Sequence, residues 1–107
     1  MKRGDIVVVS LPGDYGKPRP ALVIQSDLFA DLPSVTILAL TSHIEPAPLL
    51  RVPVHPSPGN GLQKISHIMV DKAHTLARAK IGSVSGHLDD RTMLEVSRAL
   101  AVFLGFA

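Results

Sequence analysis

Two neighbouring stretches of the sequence decide the fold, KRGDIVVVS at residues 2–10 and KPRPALVI at residues 17–24. Each contains a run of β-branched and aliphatic residues, and a loop rich in glycine and proline separates them, so the pair predicts two strands of a hairpin. Arg19 stands between two prolines whose rings stiffen the backbone. The spacing alone leaves two interpretations of Arg19 open, a cation held ready for a ligand or a solvated arginine in a rigid loop.

Similar short runs recur along the chain between turn signals. Together they predict a strand at each of residues 6–11, 21–25, 35–41, 49–54 and 65–70, and one or two more within 74–84, with a bend at Gly82. This spacing favours a small antiparallel barrel.

The one convincing helix comes last, from about residue 90 to residue 104. Its apolar residues recur at helical spacing on one face, which we expect to cover the barrel: Met93, Val96, Leu100, Phe103 and Leu104. The expected signals at its ends are an N-cap at Asp89 or Asp90, a capping-box spacing at Thr92 and Glu95, and a stop at Gly105.

Length and composition limit the class of protein. The 107 residues, 46% hydrophobic, fit a single domain over residues 1–107. The absence of cysteine excludes disulfides and thiolate zinc sites, and no apolar stretch reaches the roughly 20 residues of a membrane span, so we expect a cytoplasmic protein. A net charge of +2 favours polyanionic partners, while only 4% aromatic residues exclude a binding surface built on rows of stacking rings.

Six pieces of sequence, taken in order, point to a known family: RGDIV at 3–7, RPALVI at 19–24, LTS at 40–42, GL at 61–62, SHIMVD at 66–71 and IG at 81–82. In order and spacing they resemble the MazF/PemK toxins of bacterial type II toxin–antitoxin systems, across nearly the whole chain. The resemblance implies a mainly β fold with a C-terminal α-helix, a small SH3-like antiparallel barrel of the MazF/PemK/CcdB type.

The same resemblance implies a function and its partners. It implies a homodimeric endoribonuclease that cuts single-stranded mRNA at a short sequence without a metal or other cofactor, together with a cognate MazE-like antitoxin whose acidic tail occupies the basic groove. Cleavage of this kind proceeds by attack of the ribose 2′-OH on the adjacent phosphorus and leaves 2′,3′-cyclic phosphate and 5′-OH ends. DNA lacks that nucleophile, so selectivity for RNA follows.

The family's catalytic arginine and threonine fall on Arg19 and Thr41. A guanidinium is a poor base but donates two hydrogen bonds to phosphate oxygens, so we assign Arg19 charge stabilisation, with leaving-group protonation as an alternative. The Thr41 hydroxyl is suited to orienting the phosphate or the 2′-OH. The base stays open between His43 and His67, and the irregular histidine spacing argues against a metal site.

The expected RNA-binding residues belong to three segments. They are Tyr15, Gly16, Lys17 and Pro18 in the first loop, Ser42 and His43 after the third strand, and Ser66 and His67 at the start of the fifth.

One departure from the family pattern bears on the mechanism. PemK-type members carry an arginine two residues before the aspartate that matches Asp71, and this chain has Met69 there. For Asp71 three roles stay open, binding RNA, orienting a base, or accepting hydrogen bonds at a strand end, and we favour the last, structural role. Two alternative functions remain open from the sequence, a CcdB-like toxin that binds gyrase and a catalytically silent barrel that binds only antitoxin or RNA.

Overall fold

A computed structural model describes residues 1–13 and 15–107; Asp14, which belongs to the predicted first loop, lies outside the described residues. Its elements, in chain order, are β1 (Asp5–Ser10), β2 (Pro18–Val23), a 3₁₀ turn (Asp27–Phe29), β3 (Ser34–Thr41), β4 (Arg51–Val54), β5 (Ser66–Ala77), a second 3₁₀ turn (Arg78–Lys80), β6 (Val84–His87) and α1 (Asp90–Leu104).

The strands form one antiparallel sheet in the order β4-β5-β3-β2-β1-β6. The sheet curls into a half-barrel, so the predicted fold class, mainly β with a C-terminal helix in a small SH3-like barrel, is confirmed. The predicted strand boundaries are wrong in three places. β2 begins at residue 18 and ends at 23 where 21–25 was predicted, residues 65–70 and the first part of 74–84 form a single strand of 12 residues, and β6 lies almost entirely beyond the predicted 74–84. The 12-residue strand, β5, is long enough to pair with both β3 and β4.

The helix covers one face of the sheet, where its only fully buried residue is Val96. We call the apolar group beneath it the helix-side cluster: Ile6, Leu22, Leu38, Leu40, Val52, Val54, Ile68, Val70, Leu88 and Val96. Met93 and Leu100 pack against this cluster as predicted. The prediction is wrong for Phe103 and Leu104, which lie in the last turn of the helix, are 48% and 56% exposed and do not pack against this cluster.

The ends of the helix follow the sequence signals in part. Asp89 is the N-cap, accepting hydrogen bonds from the backbone amide of Thr92 at 3.1 Å and from its hydroxyl at 2.8 Å. These two bonds lower the pKa of Asp89. Thr92 is therefore inside the first turn and does not begin a capping box with Glu95. Gly105 ends the helix in the left-handed conformation, as predicted.

A second apolar group, the outer cluster, lies on the opposite face of β1, β2 and β3. It consists of Val7, Val9, Leu11, Ala21, Val23, Val35, Ile37 and Ala39. Residues of these strands alternate between the two clusters, as the two-residue period of a strand requires. The face that any residue of β1 to β3 occupies follows from this alternation.

The edges of the sheet meet through a loop. In the described part of the chain β4 and β6 do not pair with each other. Instead the segment after β4 packs on β6, where the amide of His87 donates to the carbonyl of Gly59 at 2.8 Å. A Cβ on Gly86 would stand 2.3 Å from the carbonyl carbon and oxygen of Asn60. The curled sheet is therefore closed by close backbone contact between this loop and β6.

A hydrogen bond between two side chains also ties β6 to β1. Nδ1 of His87 lies 2.9 Å from Oδ1 of Asp5, whose side chain is about nine-tenths buried. Burial by itself raises the pKa of Asp5, but the hydrogen bonds from His87 and from the Lys2 amide outweigh it, and the pKa lies below its ordinary value. The pair stabilises the junction of the first and last strands.

Two prolines determine where β2 and β3 separate. At the end of β2 the carbonyl of Val23 accepts a hydrogen bond from Gly4, beside β1, and the amide of the next residue, Ile24, donates to Thr36 on β3. Because the direction alternates along a strand, even-numbered residues of β2 point their N–H groups at β3. Pro18 and Pro20 have no N–H to present. The ladder between β2 and β3 accordingly ends at the pair Ala21–Ala39, and the two strands diverge beyond it.

Candidate active site

Three of the predicted functional residues lie in one row across the sheet. Thr41 on β3 pairs directly with His67 on β5, so both occupy the same face. Arg19 on β2 pairs with Val9, a member of the outer cluster. β2 and β3 have diverged at Arg19 and Thr41, so these two residues do not pair, but the two-residue period of each strand puts both on the face of the outer cluster. A guanidinium, a hydroxyl and an imidazole thus share one face of three neighbouring strands, and only Thr41 and His67 lie directly opposite each other, about 5 Å apart.

Thr41 is held in place by its own strand end. Its Oγ1 accepts a hydrogen bond from the backbone amide of His43 at 3.1 Å, as in the local turns that Ser and Thr form after strands. The hydroxyl proton remains available to donate to a ligand oxygen. The sequence could identify Thr41 only through the family resemblance, because a β-branched residue at the end of a strand is common.

The two histidines proposed as the base differ in their surroundings. His43 is exposed, and its Nε2 lies 3.2 Å from a carboxylate oxygen of Glu45. His67 is partly buried, and its Nδ1 is fully buried with no hydrogen-bond partner among residues 1–13 and 15–107. The sheet therefore fixes His67 beside Thr41, whereas His43 points to an ion pair on the surface.

A groove of about 620 Å³ opens where β2 and β3 diverge. It is lined by Val8, Lys17, Pro18, Arg19, Pro20, Leu40, Ser42, Gly61, Leu62, Gln63, Lys64, Ser66 and Ser85. Three cations line it, and none of the described lining residues is acidic. This charge pattern attracts a polyanion. Arg19 belongs to both features, so the groove and the row of Arg19, Thr41 and His67 meet at this residue.

The structure divides the predicted RNA-binding residues into two groups. Lys17, Pro18, Ser42 and Ser66 line the groove. Tyr15, Gly16, His43 and His67 are not among its lining residues. Tyr15 has a fully exposed ring on a left-handed backbone with φ 54°.

Asp71 is held in an ion pair with Arg51 on the neighbouring strand. Arg51 pairs across the ladder with Met69, the position at which this chain departs from the family pattern. The Arg51 side chain is 11% exposed and also donates to the carbonyl of Leu50 at 3.0 Å. A guanidinium is thus supplied to Asp71 from the adjacent strand, in agreement with the structural role favoured from the sequence.

Sequence reasoning missed eight groove residues, of which three have polar side chains, Gln63, Lys64 and Ser85. The Gly-Asn-Gly turn at residues 59–61 was a signal that the chain reverses there, but only the contact between this loop and β6 places the following residues against β2.

Within residues 1–13 and 15–107, no group of three or more His, Asp or Glu side chains is arranged to hold a metal ion. In the same part of the chain, no helix has the length and apolar character needed to cross a membrane.

Residues 2–104 match the family described as PemK-like, MazF-like toxin of type II toxin–antitoxin system. The chain belongs to this family. It is 44% identical over 108 residues to the probable endoribonuclease MazF of Mycolicibacterium smegmatis, covering 100% of this chain and 99% of that protein. It is 30% identical to endoribonuclease EndoA of Bacillus subtilis, covering 97% and 94%. The structure of a mycobacterial endoribonuclease in complex with its cognate antitoxin superposes with a TM-score of 0.82 at 22% identity, covering 100% and 97%.

Membership in the PemK/MazF family confirms the resemblance drawn from the six sequence pieces. Because the curated relatives are named endoribonucleases, the comparison favours the ribonuclease prediction over the gyrase-binding and silent-barrel alternatives. The fold comparison agrees with the half-barrel and its helix.

Proposed function

We propose that this chain, a MazF-like toxin endoribonuclease by its family, cuts single-stranded mRNA without a metal ion at the row formed by Arg19, Thr41 and His67. The observation that carries the proposal is that these residues share one face of three neighbouring strands, and that Arg19 also lines a groove together with Lys17 and Lys64. Metal-independent cleavage needs a base for the 2′-OH and donors for the phosphoryl oxygens, and the row contains both kinds of group.

The proposed roles follow from the chemistry of each side chain. His67 takes the 2′-OH proton while the 2′-oxygen bonds to phosphorus and the bond from phosphorus to the 5′-oxygen breaks. Arg19 donates to the two phosphoryl oxygens, whose charge grows in the transition state. Thr41 donates a hydrogen bond from its hydroxyl to one of those oxygens. The leaving 5′-oxygen takes a proton from water as its bond to phosphorus breaks, and His67 returns its proton to solvent. The products are a 2′,3′-cyclic phosphate and a 5′-OH.

The proposed partners follow from the same groove. The relative solved with its cognate antitoxin supports an antitoxin for this chain, and an acidic antitoxin segment would compete with RNA for the cations of the groove. We also propose that the toxin is a homodimer, to be measured by analytical ultracentrifugation. Because mRNA is the proposed substrate, we place its activity in the cytoplasm.

The function is tested by incubating the purified protein with a long single-stranded RNA, and with DNA of the same sequence, in EDTA. We expect discrete cuts in the RNA, cyclic phosphate and 5′-OH ends, and intact DNA. Intact RNA at an excess of folded protein contradicts the proposal and makes gyrase binding the next measurement.

Thr41→Ala removes the phosphate donor and the acceptor for the His43 amide, so we expect kcat/KM to fall about 10²-fold. Thr41→Ser keeps the hydroxyl and is the matched control; it retains activity within about tenfold. Cleavage of a short fluorescent RNA measures both. Equal activity of the Ala and Ser variants would remove Thr41 from the mechanism.

His67→Gln removes the proton acceptor, and we expect a loss of about 10²-fold, the lower end of the range for general bases, because no described carboxylate orients the ring. The distinguishing measurement is the pH profile of kcat/KM. The wild type should show the inflection that a general base produces, and the variant should not. His55→Gln, on an exposed loop, is the control. An unchanged inflection in His67→Gln assigns the base elsewhere.

A further inference from the structure

The wall of the groove formed by the loop before β5 has no role in the cleavage chemistry described above. Gln63 and Lys64 belong to this wall, and both are exposed. Lys17 lines the same groove from the start of β2. The groove therefore has two lysines and a neutral amide in addition to the catalytic arginine.

The loop that carries Gln63 is fixed from beneath by one buried side chain. Asn60 is 5% exposed. Its Oδ1 accepts from the amides of Ser57 at 3.1 Å and Leu62 at 3.0 Å, and its Nδ2 donates to the carbonyl of His55 at 2.8 Å. With the backbone contact to β6, these bonds anchor the backbone of residues 55–62, which leads directly into Gln63. A preorganised loop presents its side chains at a low entropic cost on binding.

The groove also has the size and chemistry for one nucleotide. Its volume of about 620 Å³ falls within the range of about 300–1,000 Å³ typical of small-molecule sites. The amide of Gln63 has both a donor and an acceptor, the combination that pairs with the edge of an unstacked base. Lysine ammonium groups bind phosphates.

We propose that this groove is a base-reading subsite for a nucleotide of the RNA next to the cleaved phosphate. Gln63 determines the base by hydrogen bonds to its edge, and Lys17 and Lys64 bind the flanking phosphates. The subsite rests on the proposed function, since Arg19 joins it to the catalytic row. An acidic antitoxin segment would be bound by charge attraction to the lysines, and the neutral amide of Gln63 does not contribute to that attraction. The presence of Gln63 in the groove therefore favours an RNA base as its ligand.

The test of Gln63 uses a pool of RNA with randomised sequence, cut to a low extent and sequenced at the new ends. In Gln63→Ala we expect the preference at one position to fall about tenfold, with the other positions unchanged. In Gln63→Glu the acceptor-only carboxylate shifts that same position toward guanine, which presents two adjacent donors. Gln63 is exposed, so neither change affects folding, and circular dichroism checks this.

The test of Lys64 measures binding, independently of cleavage, on an RNA whose 2′-hydroxyls are methylated. Lys64→Ala should weaken binding and reduce the slope of log K against log salt by about 0.7, the value for one phosphate of a single strand. Lys80→Ala, at an exposed lysine outside the groove, is the matched control and should leave the slope unchanged.

The outcomes separate the subsite from the cleavage chemistry. If the wild type binds methylated RNA with the Lys64 effect but cuts no RNA, the proposed function fails and the base-reading role fails with it, which leaves the groove a phosphate contact alone. If the wild type cuts RNA and both Gln63 variants keep its base preference, the subsite is overturned. The subsite is also overturned if, in a binding measurement with an acidic antitoxin peptide, the Gln63 variants change the affinity for the peptide while the base preference of RNA cleavage stays the same.

Discussion

Arg19→Lys is expected to lower kcat/KM for RNA cleavage about 10²–10³-fold, although it keeps the positive charge. An ammonium is a point charge, whereas the planar guanidinium donates two parallel hydrogen bonds to the phosphoryl oxygens as their charge grows. Removing one fixed donor to a developing oxyanion costs a factor of this size. The measurement is kcat and KM separately, and the fall should appear mainly in kcat, because the lost interaction strengthens in the transition state.

The control for this variant is Arg91→Lys, at an exposed arginine in the first turn of the helix. It should cleave like the wild type. Thermal melting checks that Arg19→Lys is folded, and binding to methylated RNA should weaken by less than cleavage does. A variant that loses binding and cleavage to the same extent would show that Arg19 only holds the substrate.

The row of catalytic candidates shows how much of the site the sequence predicts. The family resemblance identifies Arg19 and Thr41, whereas the sequence leaves the base open between His67 and a second histidine. The shared face of all three depends on how the strands pair, and Thr41 and His67, which lie opposite each other, are about 26 positions apart along the chain. Local patterns predict that each strand exists, but only pairing determines which residues meet.

Residues 51 and 71 illustrate the same limit. The sequence shows a methionine where the family has an arginine, and it gives no sign that Arg51 replaces that charge. The replacement depends on β4 pairing with the first half of β5. It also depends on the irregular register of β5 with β3, where Leu38 pairs with Ala73 and Leu40 with Ile68. An irregularity of this kind has no local signature in composition, so the length of β5 was underestimated for the same reason.

The helix shows the converse, because its boundaries are local properties. Periodicity and end signals predicted Asp90–Leu104, which are the observed bounds. The burial of Phe103 and Leu104 was mispredicted, since burial depends on contacts with distant parts of the chain.

Gly86→Ala is expected to destabilise the protein by about 3 kcal/mol or more, the upper range for forcing extra atoms into packed structure. The added Cβ would stand 2.3 Å from the Asn60 carbonyl. The clashing atoms belong to the backbone, which cannot move aside as the flexible end of a side chain can. For a domain of this size, 3 kcal/mol corresponds to a fall in Tm of about 12–24 °C. Differential scanning calorimetry measures it.

The matched control is Gly59→Ala in the same loop. A Cβ there meets nothing within 4 Å and the backbone φ is not in the left-handed region, so its Tm should stay within a few degrees of the wild type. The comparison also bears on the groove, because the contact at Gly86 holds the loop that carries Gln63. If Gly86→Ala melts like the control, the loop yields to the new methyl group, and the base-reading subsite loses the rigid wall on which its specificity depends.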